Sequence, residues 1–130
     1  MKRVIVIILA ISLLFTGLIV VASNNRSTTE NNQITFAVVR ADVAKGAKLY
    51  DVRTPSEYAA GHFVDATNFP LQTMQSGTMP NVPKSTTLYV YCQSGNRSGL
   101  AASILKQAGY TVVDLQGLAH VQSIGGSFAP

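Results

Sequence analysis

Cys92 is the only cysteine in the chain, and it stands where an apolar run meets a helix-forming segment, in YVYCQSGNRSG (89–99). Leu88, Tyr89, Val90 and Tyr91 form a short continuous apolar block, as a parallel strand buried on both faces requires. From Ser98 onward the pattern changes. Leu100, Ala101, Ile104, Leu105 and Ala108 recur at three- and four-residue spacing, Ser103, Lys106 and Gln107 supply a polar face, and Gly109 stands where a left-handed cap would stop the helix. A strand, a tight loop of Gln93, Ser94, Gly95, Asn96 and Arg97, and a helix start together make an anion site built mainly from backbone N–H groups and the positive end of the helix dipole. A thiol placed there is expected to ionise readily. The bland alternative is a buried cysteine that merely packs ahead of a helix. The glycine-containing loop, the arginine and the helix start together argue against it.

Other residues could take part in chemistry at this site. Asp51 and Arg53 flank the end of a strand expected over Ala47–Val52, which is where ligand sites in open parallel sheets lie. For this pair, a structural ion pair that fixes neighbouring loops is the preferred reading. His62 follows a helix-ending glycine, Gly61, so a capping or packing role is preferred to that of general base; His120 is more isolated still. No pair of His, Cys, Asp or Glu has metal-ligand spacing, so neither a metal nor a cofactor is expected.

The remaining elements must position these residues. Ile34–Val39 reads as a first strand, or as a strand leading into a helix that runs through Lys45 and stops at Gly46. After the Ala47–Val52 strand, Thr54, Pro55 and Glu57 form a helix entry, with cap, first-turn proline and an acid near the helix N-terminus. Phe63–Pro70 suggests a short strand. Gln72–Ser85, with Met74 and Met79 spaced through it, is expected to be mostly loop with at most a loose helical turn, bordering the mouth of the site. Thr111–Leu115 reads as a further buried strand, Gly117 as a turn, and Leu118–Ser123 as a last short helix. Strands alternating with helices imply an α/β fold around a parallel sheet with right-handed crossovers.

The chain of 130 residues is long enough for one domain, and its formal charge of +4 is scattered over single Lys and Arg residues without a basic block. No nucleic-acid surface follows from it. Lys2 and Arg3 precede 19 uncharged residues, Val4–Ala22, so residues 1–22 are expected to be a signal peptide cleaved after Ala22 or a retained membrane anchor. Both readings deliver the rest of the chain across the membrane, to the bacterial periplasm or cell envelope, with the N-terminal segment available for membrane contact. Ser23–Gln33 reads as a polar linker and residues 34–130 as the folded domain. With a single cysteine, no internal disulfide can form in that oxidising compartment, so an unpaired thiol kept there is expected to have a function.

From about Ile34 to Gly126 the chain resembles a single-domain rhodanese. The matching pieces, in order, are Asp51-Val52-Arg53, Glu57-Tyr58, Gly61-His62, Ala66 to Pro70, the loop Cys92 to Arg97 with Ser98, and Gly109-Tyr110. The resemblance implies a three-layer fold with a five-stranded parallel sheet and helices on both faces. It also implies that Cys92 carries a persulfide cradled by the backbone of Gln93 to Arg97. Arg97 would orient the loop or attract the donor, and Ser98 would cap the helix and reach the sulfur. Two departures from the family pattern stand out: Asp65 replaces a frequent glycine, and Gly117-Leu118, with no later tryptophan, replaces a frequent glycine pair. The first is expected to alter a turn.

Related phosphatases place five residues between cysteine and arginine, whereas four separate Cys92 from Arg97 here, a cradle better suited to sulfur than to phosphate. The expected activity is therefore sulfurtransfer by double displacement. A small anionic donor such as thiosulfate loads Cys92, and a thiol, a dithiol protein or cyanide from outside removes the sulfur. The alternatives are a non-catalytic rhodanese-like module that binds sulfide or protein and, less favoured, a small cysteine-dependent phosphatase.

Overall fold

The structure, a computed structural model, describes residues 33–130. The expected export or anchoring segment, and all of the expected linker except Gln33, lie outside the described residues. Among the described residues no helix is long and apolar enough to cross a membrane.

In chain order the elements are α1 (Phe36–Ala44), β1 (Lys48–Asp51), α2 (Pro55–Ala60), β2 (Thr67–Asn68), α3 (Leu71–Gln75), β3 (Thr87–Tyr91), α4 (Asn96–Gln107), β4 (Thr111–Asp114) and α5 (Leu118–Ser123). The strands form one parallel sheet in the order β2-β1-β3-β4. Alternate residues of each strand feed opposite faces. Tyr50, Leu88, Val90 and Val112 pack with Leu71 and Met74 of α3 and with Ala101, Ala102 and Leu105 of α4. Leu49, Tyr89 and Tyr91 pack on the other side with Phe36 and Val39 of α1 and Val121 of α5. The apolar block before Cys92 is continuous because both faces of β3 are covered.

The sheet has four strands, not five. The expected first strand is helix. Thr35 caps α1 by accepting a hydrogen bond from the Val38 N–H at 3.3 Å, and Phe36 and Val39, one turn apart, are buried on one face. The Phe36 N–H donates to the Ile124 carbonyl at 2.8 Å, which ties the start of α1 to the end of α5. The stretch expected to be mostly loop opens with α3, and the remainder is held by Tyr110, whose hydroxyl donates to the Pro80 carbonyl at 2.6 Å and whose ring lies under the Lys84 ammonium. Asp65, where the family pattern has a frequent glycine, lies in a turn after Phe63. It takes up a φ of +66°, the left-handed conformation a glycine would adopt, and its carboxylate accepts from Arg40 Nε at 2.7 Å.

Candidate active site

Cys92 follows β3 directly, at the C-terminal end of the parallel sheet. Its N–H donates to the Gln116 carbonyl at 2.9 Å, and its Sγ accepts the Gly95 N–H at 3.0 Å. Gly95 makes this turn possible. It has φ of +99° and is itself the residue preceding α4, which therefore starts at Asn96, inside the segment expected to be loop. The N–H groups of the first turn, Asn96 to Ser98, lack partners within the helix. One main-chain N–H, that of Gly95, is on the sulfur, and Cys92 has no exposed surface. Where a cradle from the backbone of Gln93 to Arg97 is expected, the contact on the sulfur is thus that of Gly95.

Ser98 does not cap the helix or reach the sulfur. It is fully buried, and its hydroxyl donates to the Gly95 carbonyl at 3.0 Å and the Gln116 carbonyl at 3.3 Å. It fastens the loop to a strap formed by Gln116, Gly117 and Leu118. That strap also takes the Cys92 N–H and returns the Leu118 N–H to the Gln93 carbonyl at 3.1 Å. Gly117 is needed for space: a Cβ there would lie 2.8 Å from the Gln93 oxygen and 2.9 Å from Ser94 backbone atoms.

Arg97 projects from the first turn of α4 and donates both Nη atoms to Glu57 of α2, at 2.7 and 2.9 Å. This pairing, with the Thr54 N–H as a further donor, holds the Glu57 carboxyl far below the usual carboxylate range. Glu57 also completes a capping box with Thr54. Arg53 is buried against Asp51, with Nη2 at 2.7 Å from its carboxylate. Arg53 also donates to the Gly61 carbonyl at 2.7 Å and to the Gln93 side chain at 3.4 Å. The Tyr91 hydroxyl donates to Asp51 at 2.9 Å and accepts the Phe63 N–H, so the residue before Cys92 is anchored to the same pair. Burial is the first cause that pushes the Tyr91 hydroxyl well above its ordinary range. His62 stacks on Tyr58 with ring centres 3.8 Å apart and places Nδ1 3.0 Å from the Tyr58 carbonyl; no hydrogen bond joins it to Cys92.

The loop residues, Asp51 and Arg53 are thus brought to one end of the sheet. Sequence reasoning missed Tyr91 as an anchor, Glu57 as the partner of Arg97, and the strap. Glu57 was visible as a favourable charge on a helix start and as a matching family piece, but not as the partner of Arg97, which lies forty residues away. No cluster of His, Cys, Asp or Glu that could hold a metal occurs among the described residues.

The profile of the rhodanese-like domain matches residues 35–118, most of the described fold. The chain belongs to the rhodanese family. Within it, the chain is 39% identical over 77 residues to thiosulfate sulfurtransferase PspE of Escherichia coli, an alignment covering 58% of this chain and 66% of that protein. It is 32% identical over 93 residues to the chloroplastic thiosulfate sulfurtransferase 16 of Arabidopsis thaliana, covering 63% of this chain and 78% of the relative. Among solved structures, the human single-domain sulfurtransferase superposes with a TM-score of 0.59 at 25% identity, over 73% of this chain and 97% of that one. Other matched proteins are much longer than this rhodanese domain: the alignment spans 38% of a Synechocystis protein and 19% of an Ogataea adenylyltransferase and sulfurtransferase.

Proposed function

We propose that this rhodanese is a sulfurtransferase that moves a sulfane sulfur from thiosulfate or a similar donor to an external thiophilic acceptor through a Cys92 persulfide. The observation that carries the reading is the Cys92 sulfur held at 3.0 Å by the Gly95 N–H, directly before the N-terminus of α4. In the first half-reaction the Cys92 thiolate attacks the outer sulfur of thiosulfate, the S–S bond breaks, and sulfite leaves with the bonding pair. In the second, a thiol, a dithiol protein or cyanide attacks the outer sulfur of the persulfide and returns the thiolate. The chain has no second cysteine, so the acceptor comes from outside. The preorganised Gly95 N–H acts on the anionic sulfur in both steps, a donor worth roughly 3 kcal/mol in a transition state. Because Cys92 has no exposed surface, turnover includes a step that uncovers it.

That same burial favours a second reading, a non-catalytic module that binds sulfide or protein. One experiment separates the two: thiosulfate to cyanide turnover and intact mass after thiosulfate treatment, for wild type and Cys92→Ala. Added mass of one sulfur atom and thiocyanate formation in wild type alone support the transferase. Thiocyanate formation unchanged in the alanine variant rejects the persulfide mechanism, and none in wild type selects the binding module. A phosphate ester assayed alongside tests the phosphatase reading, which the short loop opposes.

We also propose that residues 1–22 export or anchor the domain, on the strength of Lys2 and Arg3 followed by the uncharged Val4–Ala22 run. Mass spectrometry of the mature N-terminus decides between them: a start at Ser23 means cleavage, and an intact segment in the membrane fraction means an anchor.

A further inference from the structure

Charge in the described residues is sorted by residue type. Each arginine is paired with a carboxylate: Arg40 with Asp65, Arg53 with Asp51 and Arg97 with Glu57. No lysine has such a partner among the described residues, and Lys45, Lys48, Lys84 and Lys106 are all exposed. The fold gathers these four, which are far apart in the sequence, at one end. Lys48 opens β1, Lys45 stands at the end of α1 just before it, Lys84 lies shortly before β3, and Lys106 is in the last turn of α4, ahead of β4. The strands are parallel, so all four positions lie at the N-terminal end of the sheet, opposite Cys92. Lys84 Nζ is 3.7 Å from the centre of the Tyr110 ring, which joins the segment before β3 to the one before β4.

Asp42 is the one carboxylate at this end among the described residues, and it already accepts the Tyr89 hydroxyl at 2.6 Å. Helix dipoles account for Lys45 and Lys106, which stand where α1 and α4 end. They do not account for Lys48 and Lys84. Between the end of α1 and the segment before β3 lies a depression of about 470 Å³, lined by Asp42, Lys45, Ser85, Thr86 and Thr87 among others. Three hydroxyls and an ammonium offer hydrogen bonds and charge to phosphate oxygens, and the surrounding lysines give the whole end a positive field.

We propose that this lysine-bearing end docks on an anionic phospholipid surface, with headgroup phosphates at Lys45, Ser85 and Thr86, and that docking turns the Cys92 end away from the membrane toward soluble partners. The occupant follows from charge complementarity and from residues 1–22, proposed above to export or anchor the domain. A chain held at a membrane raises the local concentration of its own domain there, so a weak electrostatic contact is enough to orient it. This inference does not depend on the sulfurtransferase reading.

The test is co-sedimentation with vesicles of phosphatidylcholine alone and of phosphatidylcholine with phosphatidylglycerol. Residues 33–130 form one compact unit that holds every described element and both core clusters, so they are tested without the apolar segment. The domain is expected to bind the anionic vesicles and to leave them as salt is added. Lys48→Gln and Lys84→Gln should each lower partitioning about five-fold, the effect of one lysine at such a surface. Arg40→Gln removes the same charge from a pair on the side of the domain and should stay within about two-fold of wild type. Urea midpoints show that each variant is folded, and thiosulfate turnover in solution should not change, since Lys48, Lys84 and Arg40 stand apart from the Cys92 loop. Equal losses in Lys48→Gln and Arg40→Gln would overturn the proposal, because net charge and not the lysine end would then govern binding. Displacement by inorganic phosphate at matched ionic strength would also overturn it and assign the depression to the free anion. No preference for anionic vesicles would overturn it as well, leaving an acidic protein as the occupant of this end.

Discussion

Gly117→Ala tests how far sulfur chemistry depends on the strap that presses on the Cys92 loop. Gly117 has φ of −98° and ψ of 172°, extended backbone open to any residue, so alanine introduces no torsional strain. The cost is contact alone. The new Cβ would lie 2.8 Å from the Gln93 oxygen and 2.9 Å from the Ser94 Cα and carbonyl carbon, where ordinary contact begins at about 3.5 Å. Relief requires a shift of on the order of 0.5 Å in the loop or the strap. The strap is tied down by the Cys92 N–H and the Ser98 hydroxyl on the Gln116 carbonyl, and the loop by the Leu118 N–H on the Gln93 carbonyl. Overpacking of this kind costs about 1–3 kcal/mol. Displacement by 1 Å can cost about 100-fold in rate, so half that distance is expected to lower persulfide formation about ten-fold. The measurements are a urea midpoint, the rate of thiosulfate persulfidation by intact mass, and the pH profile of Cys92 alkylation. Gly46→Ala is the matched control. Gly46 has φ of +116° with nothing within 4 Å of a new Cβ, so alanine there adds backbone strain of about 1–3 kcal/mol at the opposite end of β1 without crowding the loop. It should lose similar stability while keeping its activity. Wild-type turnover in Gly117→Ala, or an equal loss of turnover in both variants, would refute the argument.

Two further predictions concern protons. His62→Ala should keep thiosulfate turnover within about three-fold of wild type and cost about 1 kcal/mol of stability, since His62 is held by the Tyr58 ring and carbonyl; a loss of about 100-fold with stability intact would assign it the role of base. Stability should fall at both ends of the pH scale, as urea midpoints between pH 3 and 12 would show. Hydrogen bonds from Arg97 and Thr54 depress the Glu57 carboxyl from its ordinary 4.5, so its contribution is present above that value and is lost as the pH drops through and below it. For this half-exposed pair the loss is about 1 kcal/mol. Burial, then the Asp42 carboxylate, pushes the Tyr89 hydroxyl up from 10.0 to about 12, so its contribution is present below pH 10 and is lost as the pH rises toward 12. A rise of that size corresponds to about 2–3 kcal/mol. A flat midpoint from pH 9 to 12 would contradict the buried placement of Tyr89.

The parts of the fold legible in the sequence are those whose causes are local or periodic. Leu88 to Tyr91 reads as a doubly covered strand because each alternate side chain has its own helix layer to fill. Thr54, Pro55 and Glu57 announce α2 within four positions. Ile34–Val39 misled because Ile34, Phe36 and Val38 alternate as a strand would, while Phe36 and Val39 also fit a helical turn. Burial settles the competition: Phe36 and Val39 face the core and Val38 is 47% exposed, a helical arrangement started by the Thr35 cap.

The site divides in the same way. Its loop is written in six consecutive residues and was visible at once, whereas its state is set by partners far along the chain: Glu57 for Arg97, Asp51 for Tyr91, and Gln116 for Cys92 and Ser98. Those pairings depend on how α2 and the segment after β4 pack across the strand ends, which no local pattern encodes. Gly117 is the clearest case. In the sequence it looks like a turn glycine, chosen for its torsion freedom, yet its φ of −98° needs none of that freedom; it is glycine because the Ser94 backbone lies where a Cβ would be. The enclosure of Cys92 follows from the same approach. Cys92 is fully buried, and its own N–H is held by the Gln116 carbonyl, twenty-four positions further along the chain.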